Sequence, residues 1–334
     1  MARIRHVIGI DISKKTLDLA LFFDGEYAES FKIGNNPEEI LQFEKHIKTL
    51  GCKVSNTIWC AEAMGVYATF LRRFAEKNKW RICFESALRI RWSIGIVKGK
   101  SDKADAKRIA DYAVKNLKNL KFYIPQRTII AELRYYNNAA LRLSKVKRDL
   151  LASAKCSREF EVPDISNAYI ATMSTIEKDI DKIEVLITSL IENDQRLSEL
   201  QTIVCSVPGV GKRLFREIII ATNEFKDFNC PRKFASYCAI APFRDTSGTS
   251  VSRRSRTSKI GDPKMKSLLH MGTISCLRNK QSHIYRYYVR RKAQKYTGYR
   301  LMNALRNKMI HAVFACVRNM QQYIDRESLN VGEL

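Results

Sequence analysis

The chain has 334 residues, 45% hydrophobic and 10% aromatic, enough apolar material for real cores; wholesale disorder is excluded and two compact domains with a connecting segment are expected. Its formal charge is +25, from 59 Lys and Arg against 34 Asp and Glu, which suits a polyanionic partner because every neutralised phosphate releases counterions. The nine cysteines form no CxxC pair and the five histidines are too scattered to suggest a zinc site with them; no secretory signal and no membrane-length apolar run are visible, and a reducing cytoplasm is the expected home.

In chain order, His6 to Asp11 reads as a first strand and Leu17 to Phe23 as a second. Asp24-Gly25 is a hairpin signal leading into a third strand, Tyr27 to Ile33. Pro37 opens a helix to about Leu50, a fourth strand spans about Asn56 to Ala61, a helix runs from Val66 to Asn78, and a fifth strand covers Arg81 to Glu85. A further helix begins near Ser101, with Ile109, Tyr112 and Ala113 on one side. Three meandering strands followed by alternating helices and strands describe a ribonuclease-H-like α/β domain over residues 1–126.

Residues 127–200 read as helical. Leu133, Tyr136, Ala140, Leu143 and Leu150 keep mostly to a three-four spacing; after a break at Val162-Pro163-Asp164 the spacing resumes with Ile176, Ile180, Ile183, Ile187, Leu190 and Leu197, interrupted at Asp194. An antiparallel helical hairpin or coiled coil fits this pattern, and so does an ordinary helical bundle. The second helix is acidic around Glu177 to Glu184, so DNA is not expected on it.

Residues 201–334 read as mostly α. Val207-Pro208-Gly209-Val210-Gly211-Lys212, between two helical stretches, resembles a helix-hairpin-helix turn that aims backbone N–H groups at a phosphate through Gly209, Gly211 and Lys212; a plain turn joining two core helices is the alternative. Phe243 to Ile260, rich in Ser, Thr and Arg, reads as a functional loop, and helices resume at about Pro263, at Ser282 to Tyr296 and at Arg300 to Ile324. Between Ala241 and Ile324, about a quarter of the chain, there are 18 Lys and Arg against Asp245 and Asp262 alone, which favours a nucleic-acid surface there over a merely solvated basic face.

Two sets of residues carry chemistry. Asp11 closes one apolar run, Glu62 closes another, and Asp102 and Asp105 share one face of a helix start at i, i+3 spacing. Lone acids at strand ends in so basic a chain repel one another unless a cation sits between them. Four such oxygen donors suit two Mg²⁺ ions about 4 Å apart, bracketing a scissile phosphate. The second set is Ser247, Ser250, Ser252, Ser255 and Ser258 among Arg244, Arg253, Arg254, Arg256 and Lys259. A serine there could attack a phosphodiester, whereas Ser/Thr/Arg loops more often only contact phosphates, and nothing in the spacing singles out one serine.

The blocks Val7-Ile8-Gly9-Ile10-Asp11-Ile12-Ser13-Lys14, Ala61-Glu62-Ala63-Met64-Gly65-Val66-Tyr67 and Ser101-Asp102-Lys103-Ala104-Asp105-Ala106 resemble the N-terminal blocks of the DEDD insertion-sequence transposases, the IS-one-ten family of bridge-RNA-guided recombinases. Val207-Pro208-Gly209-Val210-Gly211, Ala239-Ile240-Ala241-Pro242, Ser247-Gly248 and Ser258-Lys259-Ile260-Gly261-Asp262 are similar to its C-terminal blocks, in family order, so the resemblance covers nearly the whole chain. Departures are Met64 where Thr is usual, and the Ala239–Pro242 variation of a Gly-Leu-x-Pro block. The resemblance implies a RuvC-like domain joined through a coiled coil (127–200) to a helical transposase domain. It implies Asp11, Glu62, Asp102 and Asp105 as the Mg²⁺-binding tetrad and Ser247 as nucleophile, with Ser250 next in line. It also implies dimers that assemble to tetramers with a composite site, donor and target DNA as substrates, a structured noncoding bridge RNA as guide, and action at a bacterial or archaeal nucleoid. The competing expectations are a metal-dependent junction nuclease using water and a non-catalytic nucleic-acid-binding protein. An actin-like kinase reading of the Gly9-Ile10-Asp11 start ranks below these, because Ile12 to Thr16 lacks phosphate-loop glycines.

Overall fold

A computed structural model of the chain describes residues 3–94, 102–159, 166–247, 251–258, 260–280 and 282–325; within these, the side chains of 94, 102, 103, 157, 158, 166, 244–247 and 251–256 lie outside the description. The chain divides into two compact units, Met1–Pro125 and Gln126–Leu334, so the helical stretch after residue 126 clusters with the C-terminal unit.

The first unit is built on five strands, β1 (His6–Ile12), β2 (Thr16–Phe23), β3 (Glu26–Gly34), β4 (Thr57–Glu62) and β5 (Ile82–Glu85). Their order is β3-β2-β1-β4-β5, with β1 central, antiparallel to β2 and parallel to β4. The meander is closed by Asp24 and Gly25, both at positive φ (48° and 96°), the backbone that a two-residue hairpin requires. Four helices flank the sheet: α1 (Pro37–Thr49), α2 (Thr69–Asn78), α3 (Ala87–Ile94) and α4 (Asp102–Lys115). Asn36 caps α1 by accepting from Glu39 N–H, ahead of Pro37 in its first turn.

Period-two alternation sends Ile8, Ile10 and Ile12 to one face of the sheet, with Trp59, Ala61 and residues of α1 and α2, and Val7 to the other with Ile58, Cys60, Cys83 and the Ala106, Ile109, Ala110, Ala113 stripe of α4. On that second face α4 lies directly on β1. A Cβ added to Gly9 would stand 2.3 Å from Ala106 O and from Ala110 N, so only glycine admits the helix backbone at this crossing.

The second unit contains α5 (Thr128–Glu159), α6 (Ser166–Glu192), α7 (Gln195–Cys205), α8 (Lys212–Thr222), α9 (Pro231–Tyr237), α10 (Pro263–Arg278), α11 (His283–Ala293) and α12 (Gly298–Asn319), with strands β6 (Pro242–Ser247) and β7 (Val251–Thr257) between α9 and α10. α5 and α6 form an antiparallel hairpin: Arg127, just before α5, pairs with Asp194, just after α6, and Lys147 pairs with Glu177 along their length. The break at Val162-Pro163-Asp164 lies outside the described residues. The acidic face of α6 serves the unit itself, since Glu184 accepts two hydrogen bonds from Arg216 of α8 at 2.7 and 3.0 Å. Asp194 caps α7 by accepting from Leu197 N–H, which is why it interrupts the apolar seam.

One expectation is corrected. The polar stretch Phe243 to Ile260 contains an antiparallel hairpin, β6 against β7, with Asp245 opposite Arg253 and Ser247 opposite Val251. Its strands carry Ser, Arg and Thr where a buried strand would carry alternating apolar residues, so the apolar period was absent although the backbone ladder forms. The helices α3 and α9 were likewise not anticipated, being only 8 and 7 residues long.

A buried charge cluster anchors the base of the helical hairpin. Glu224 has its side chain fully buried in a left-handed turn (φ 55°), and Arg127, Arg196 and Lys226 all reach it, at 2.6, 3.1 and 3.1 Å. Burial pushes the Glu224 carboxyl up, but hydrogen bonds from Arg127 and Lys226 outweigh it and hold the group below the usual carboxylate range. The hydrogen bond from Arg127 does the same for Asp194. Because both folded-state values are depressed, this stabilisation is complete above the ordinary carboxylate range, near pH 4, and is lost as pH falls through the depressed values.

Two outcomes follow from this packing. Gly9→Val overpacks the α4 crossing by about 1–3 kcal/mol, and hydrogen exchange will show β1 and α4 losing protection while α5–α12 keep theirs. Arg127→Met destabilises the second unit by roughly 2 kcal/mol, less than a fully buried pair because Arg196 and Lys226 remain and Arg127 is partly exposed. Denaturant melts will show this difference at pH 7 shrinking on acidification below about pH 4.

Candidate active site

Strand register brings Asp11 and Glu62 to neighbouring strand ends on one face of the sheet. Asp11 follows Gly9 by two residues and therefore emerges on the face that α4 covers. Glu62 follows Cys60 by two residues on β4 and shares that face, one step beyond the last β1–β4 pair, Ile10 with Ala61. α4 crosses the strands with its C-terminal end near the β2–β3 turn, Val114 standing 3.8 Å from a Cβ at Gly25, and with Ala106 over Gly9. Its first turn, holding Asp102 and Asp105, is therefore directed toward the strand ends that carry Asp11 and Glu62. The backbone of Asp102 lies in α4, while its side chain lies outside the described residues.

Two acids that sequence reasoning missed extend the set. Asp18 of β2 is the register partner of Asp11, and Glu85 of β5 is the register partner of Glu62. Asp18, Asp11, Glu62 and Glu85 thus form one row across four neighbouring strands, at a strand spacing of about 4.8 Å. The signal for Glu85 was in the sequence: it closes Ile82-Cys83-Phe84 as Glu62 closes its own apolar run. The outer pair is buried and neutralised locally, Asp18 by Lys32 at 3.5 Å and Glu85 by Arg89 at 3.2 Å. Beside Glu85, burial and then the negative charge of that residue push the Tyr112 phenol up to about 12. The inner acids, Asp11 and Glu62, are half-buried, and the Glu62 carboxylate makes no hydrogen bond or ion pair among the described residues. Asp105 is also half-buried and pairs with Arg108, one turn along α4, at 2.6 Å.

Among the described residues no three Asp, Glu, His or Cys side chains stand close enough to share one ion. The chemistry of the donor set nonetheless fits a hard divalent cation: Asp11 and Glu62 carry carboxylate oxygens on one face of the sheet, Asp105 carries another in the first turn of α4, and the outer acids of the row are already paired with Lys32 and Arg89. For Asp105 to join, its carboxylate leaves Arg108.

In the second unit Ser247 is the last residue of β6, and Arg253 and Arg254 lie on β7 with Arg244 on β6; their side chains, and Lys259, Gly248 and Ser250 entirely, lie outside the described residues. Gly209 (φ 83°) packs its backbone onto α10, where a Cβ would stand 2.3 Å from Gly272 O and 2.4 Å from Cys276 Sγ. That contact accounts for Gly209 by packing. Gly211 caps α8 and is exposed with Lys212 and Arg213, so this helix start is open to solvent.

Residues 8–152 match the DEDD transposase family of the IS110 type, and residues 201–289 match the description "Transposase IS116/IS110/IS902 family". The chain belongs to this transposase family. The pilin gene-inverting proteins of Moraxella bovis and Moraxella lacunata are each 22% identical to the transposase over 328 residues, 96% of this chain and 98% of theirs. An insertion element IS110 protein of Streptomyces coelicolor is 24% identical over 47% of this chain and 37% of its own length. A solved RuvC from T. thermophilus in complex with a Holliday junction substrate aligns with 36% of this chain and 99% of its own, at 11% identity and a TM-score of 0.29. No helix among the described residues is long and apolar enough to cross a membrane.

The DEDD domain of this transposase family implies a divalent cation, and the row of acids says which variants test it. Asp11→Asn and Glu62→Gln will each lower strand cleavage on the order of a hundred-fold and weaken Mg²⁺ binding in calorimetry. Arg108→Ala, which releases Asp105, will tighten Mg²⁺ binding in the same titration.

Proposed function

We propose that this transposase cuts and rejoins DNA through a transient phosphoserine link, with Asp11, Glu62, Asp102 and Asp105 holding Mg²⁺ and Ser247 as nucleophile. The observation that carries the reading is the α4 crossing at Gly9, which directs the first turn of α4 to the strand ends bearing Asp11 and Glu62. When bound, the metal supplies positive charge to the scissile phosphate and orients it. Ser247 Oγ attacks phosphorus, the bond from phosphorus to one deoxyribose oxygen breaks, and that leaving oxygen takes up the proton that the serine gives up. The link conserves phosphodiester energy, so a different strand's hydroxyl displaces the serine and reseals the backbone without ATP.

Around this step the basic residues have separable duties. Arg244, Arg253, Arg254 and Lys259 would steady the charge that develops on phosphorus, and the exposed start of α8 at Gly211 and Lys212 would position the DNA backbone, with Gly209 fixing the turn. Placement of Ser247 at the end of a strand, in a hairpin rich in arginine, supports the nucleophile assignment. Dimers assembling to tetramers would complete the site with the tetrad of one subunit and the serine of another, and a structured noncoding RNA would choose donor and target. The resemblance of the sequence blocks and the acid-poor C-terminal third support this part of the reading. The name of the Moraxella relatives, pilin gene-inverting protein, suits an exchange in which every cut strand is resealed.

Trapping on a cognate junction decides the chemistry. The wild type will yield a protein–DNA adduct that survives denaturant, and Ser247→Ala will yield none while retaining DNA binding. Free cleaved ends without an adduct in the wild type would identify water as the nucleophile and make the protein a junction nuclease.

A further inference from the structure

From Pro263 to Ile324 the chain contains no Asp or Glu, and His283 to Arg300 alternates tyrosines with bases. On α11 and the first turn of α12 the ion pair among the described residues is Arg286 with Asp325, at 2.6 Å. The other cations there face aromatic rings. Arg291 stands 5.1 Å from the Tyr287 ring and 4.9 Å from the Tyr296 ring, and Arg300 stands 4.3 Å from Tyr296. Arg291 is held in place, its Nε donating to Tyr287 Oη at 2.9 Å and another guanidinium nitrogen donating to Gln294 Oε1 at 3.1 Å. Tyr299, beside Arg300, is 85% exposed.

Two physical features point to the same occupant. Like charges gathered without carboxylates repel, and a polyanion relieves that repulsion. The rings and guanidinium planes are also set in order before any ligand arrives, and planar faces of this kind stack on unpaired bases. A duplex offers such a surface only its phosphates, because its bases already stack on one another. We propose that α11 and the start of α12 form a stacking platform for an unpaired DNA strand, the strand bared when the transposase opens its substrate. The inference rests on the DNA-recombining reading for its substrate and is independent of which group attacks phosphorus.

The test uses the full-length protein without divalent metal, so that cleavage chemistry plays no part. Fluorescence anisotropy compares a labelled oligo-dT, a hairpin duplex of equal charge and an oligo-rU of equal length. The expected result is tighter binding of oligo-dT than of either other probe. Tyr296→Ala will weaken oligo-dT binding about ten-fold and duplex binding by less than about two-fold, while Tyr296→Trp restores the oligo-dT value. A 2-aminopurine reporter in the oligo-dT will be quenched by the wild type and not by Tyr296→Ala. If Tyr296→Ala lowers the thermal midpoint, Tyr299→Ala, whose ring is solvent-exposed, replaces it in the same comparison. Equal weakening of single strand and duplex would reduce the surface to a phosphate clamp and overturn the proposal, and so would preferential binding of oligo-rU, which would make the occupant RNA.

Discussion

The first unit depends on a helix lying on a strand with no side chain between them. At Gly9 the carbonyl of Ala106 and the amide of Ala110 occupy the space where any other residue would carry its Cβ. This contact fixes how far α4 sinks toward β1 and how it is rotated, and both decide where its first turn ends. The carboxylates of that turn are on a helix and those of Asp11 and Glu62 are at strand termini, so their separation is set by backbone packing. The apolar stripe of Ala106, Ala110 and Ala113 serves the same end, since small residues let the helix approach the sheet closely.

Charge is distributed by purpose along the chain. In the α4-covered row the outermost acids are each matched by a base, leaving the two inner ones half-buried between them. In the second unit the acids Glu184, Asp194, Glu217 and Glu224 are all consumed by intramolecular pairs, with Arg216, Arg127, Lys264 and again Arg127. These four acids therefore do little to offset positive charge elsewhere in that unit.

Much of the first unit was legible because its strands obey the rules that sequence exposes. β1 and β4 are apolar runs ended by one acid, the Asp24-Gly25 turn names its own geometry, and the Pro37 helix start has its Asn36 cap. Glu85 closes the expected fifth strand, but its place beside Glu62 depends on the β4–β5 register, and Asp18 reads as an interruption of an apolar strand until its register with Asp11 is known. The β6–β7 hairpin was hidden by its polarity. The turn at Gly209 reads as a phosphate-binding element or as a plain turn between core helices, and its contact with Gly272, 63 positions later in the chain, is a tertiary fact that no local pattern reports.

The helical hairpin has one further mechanical property. α5 has 32 residues, so it is about 48 Å long, and its base is pinned by Arg127 to Asp194 and Glu224. A rod held rigidly at one end behaves as a cantilever. Force applied toward its far end, near exposed Leu151 and Ile170, arrives multiplied as torque at the Glu184–Arg216 tie to α8.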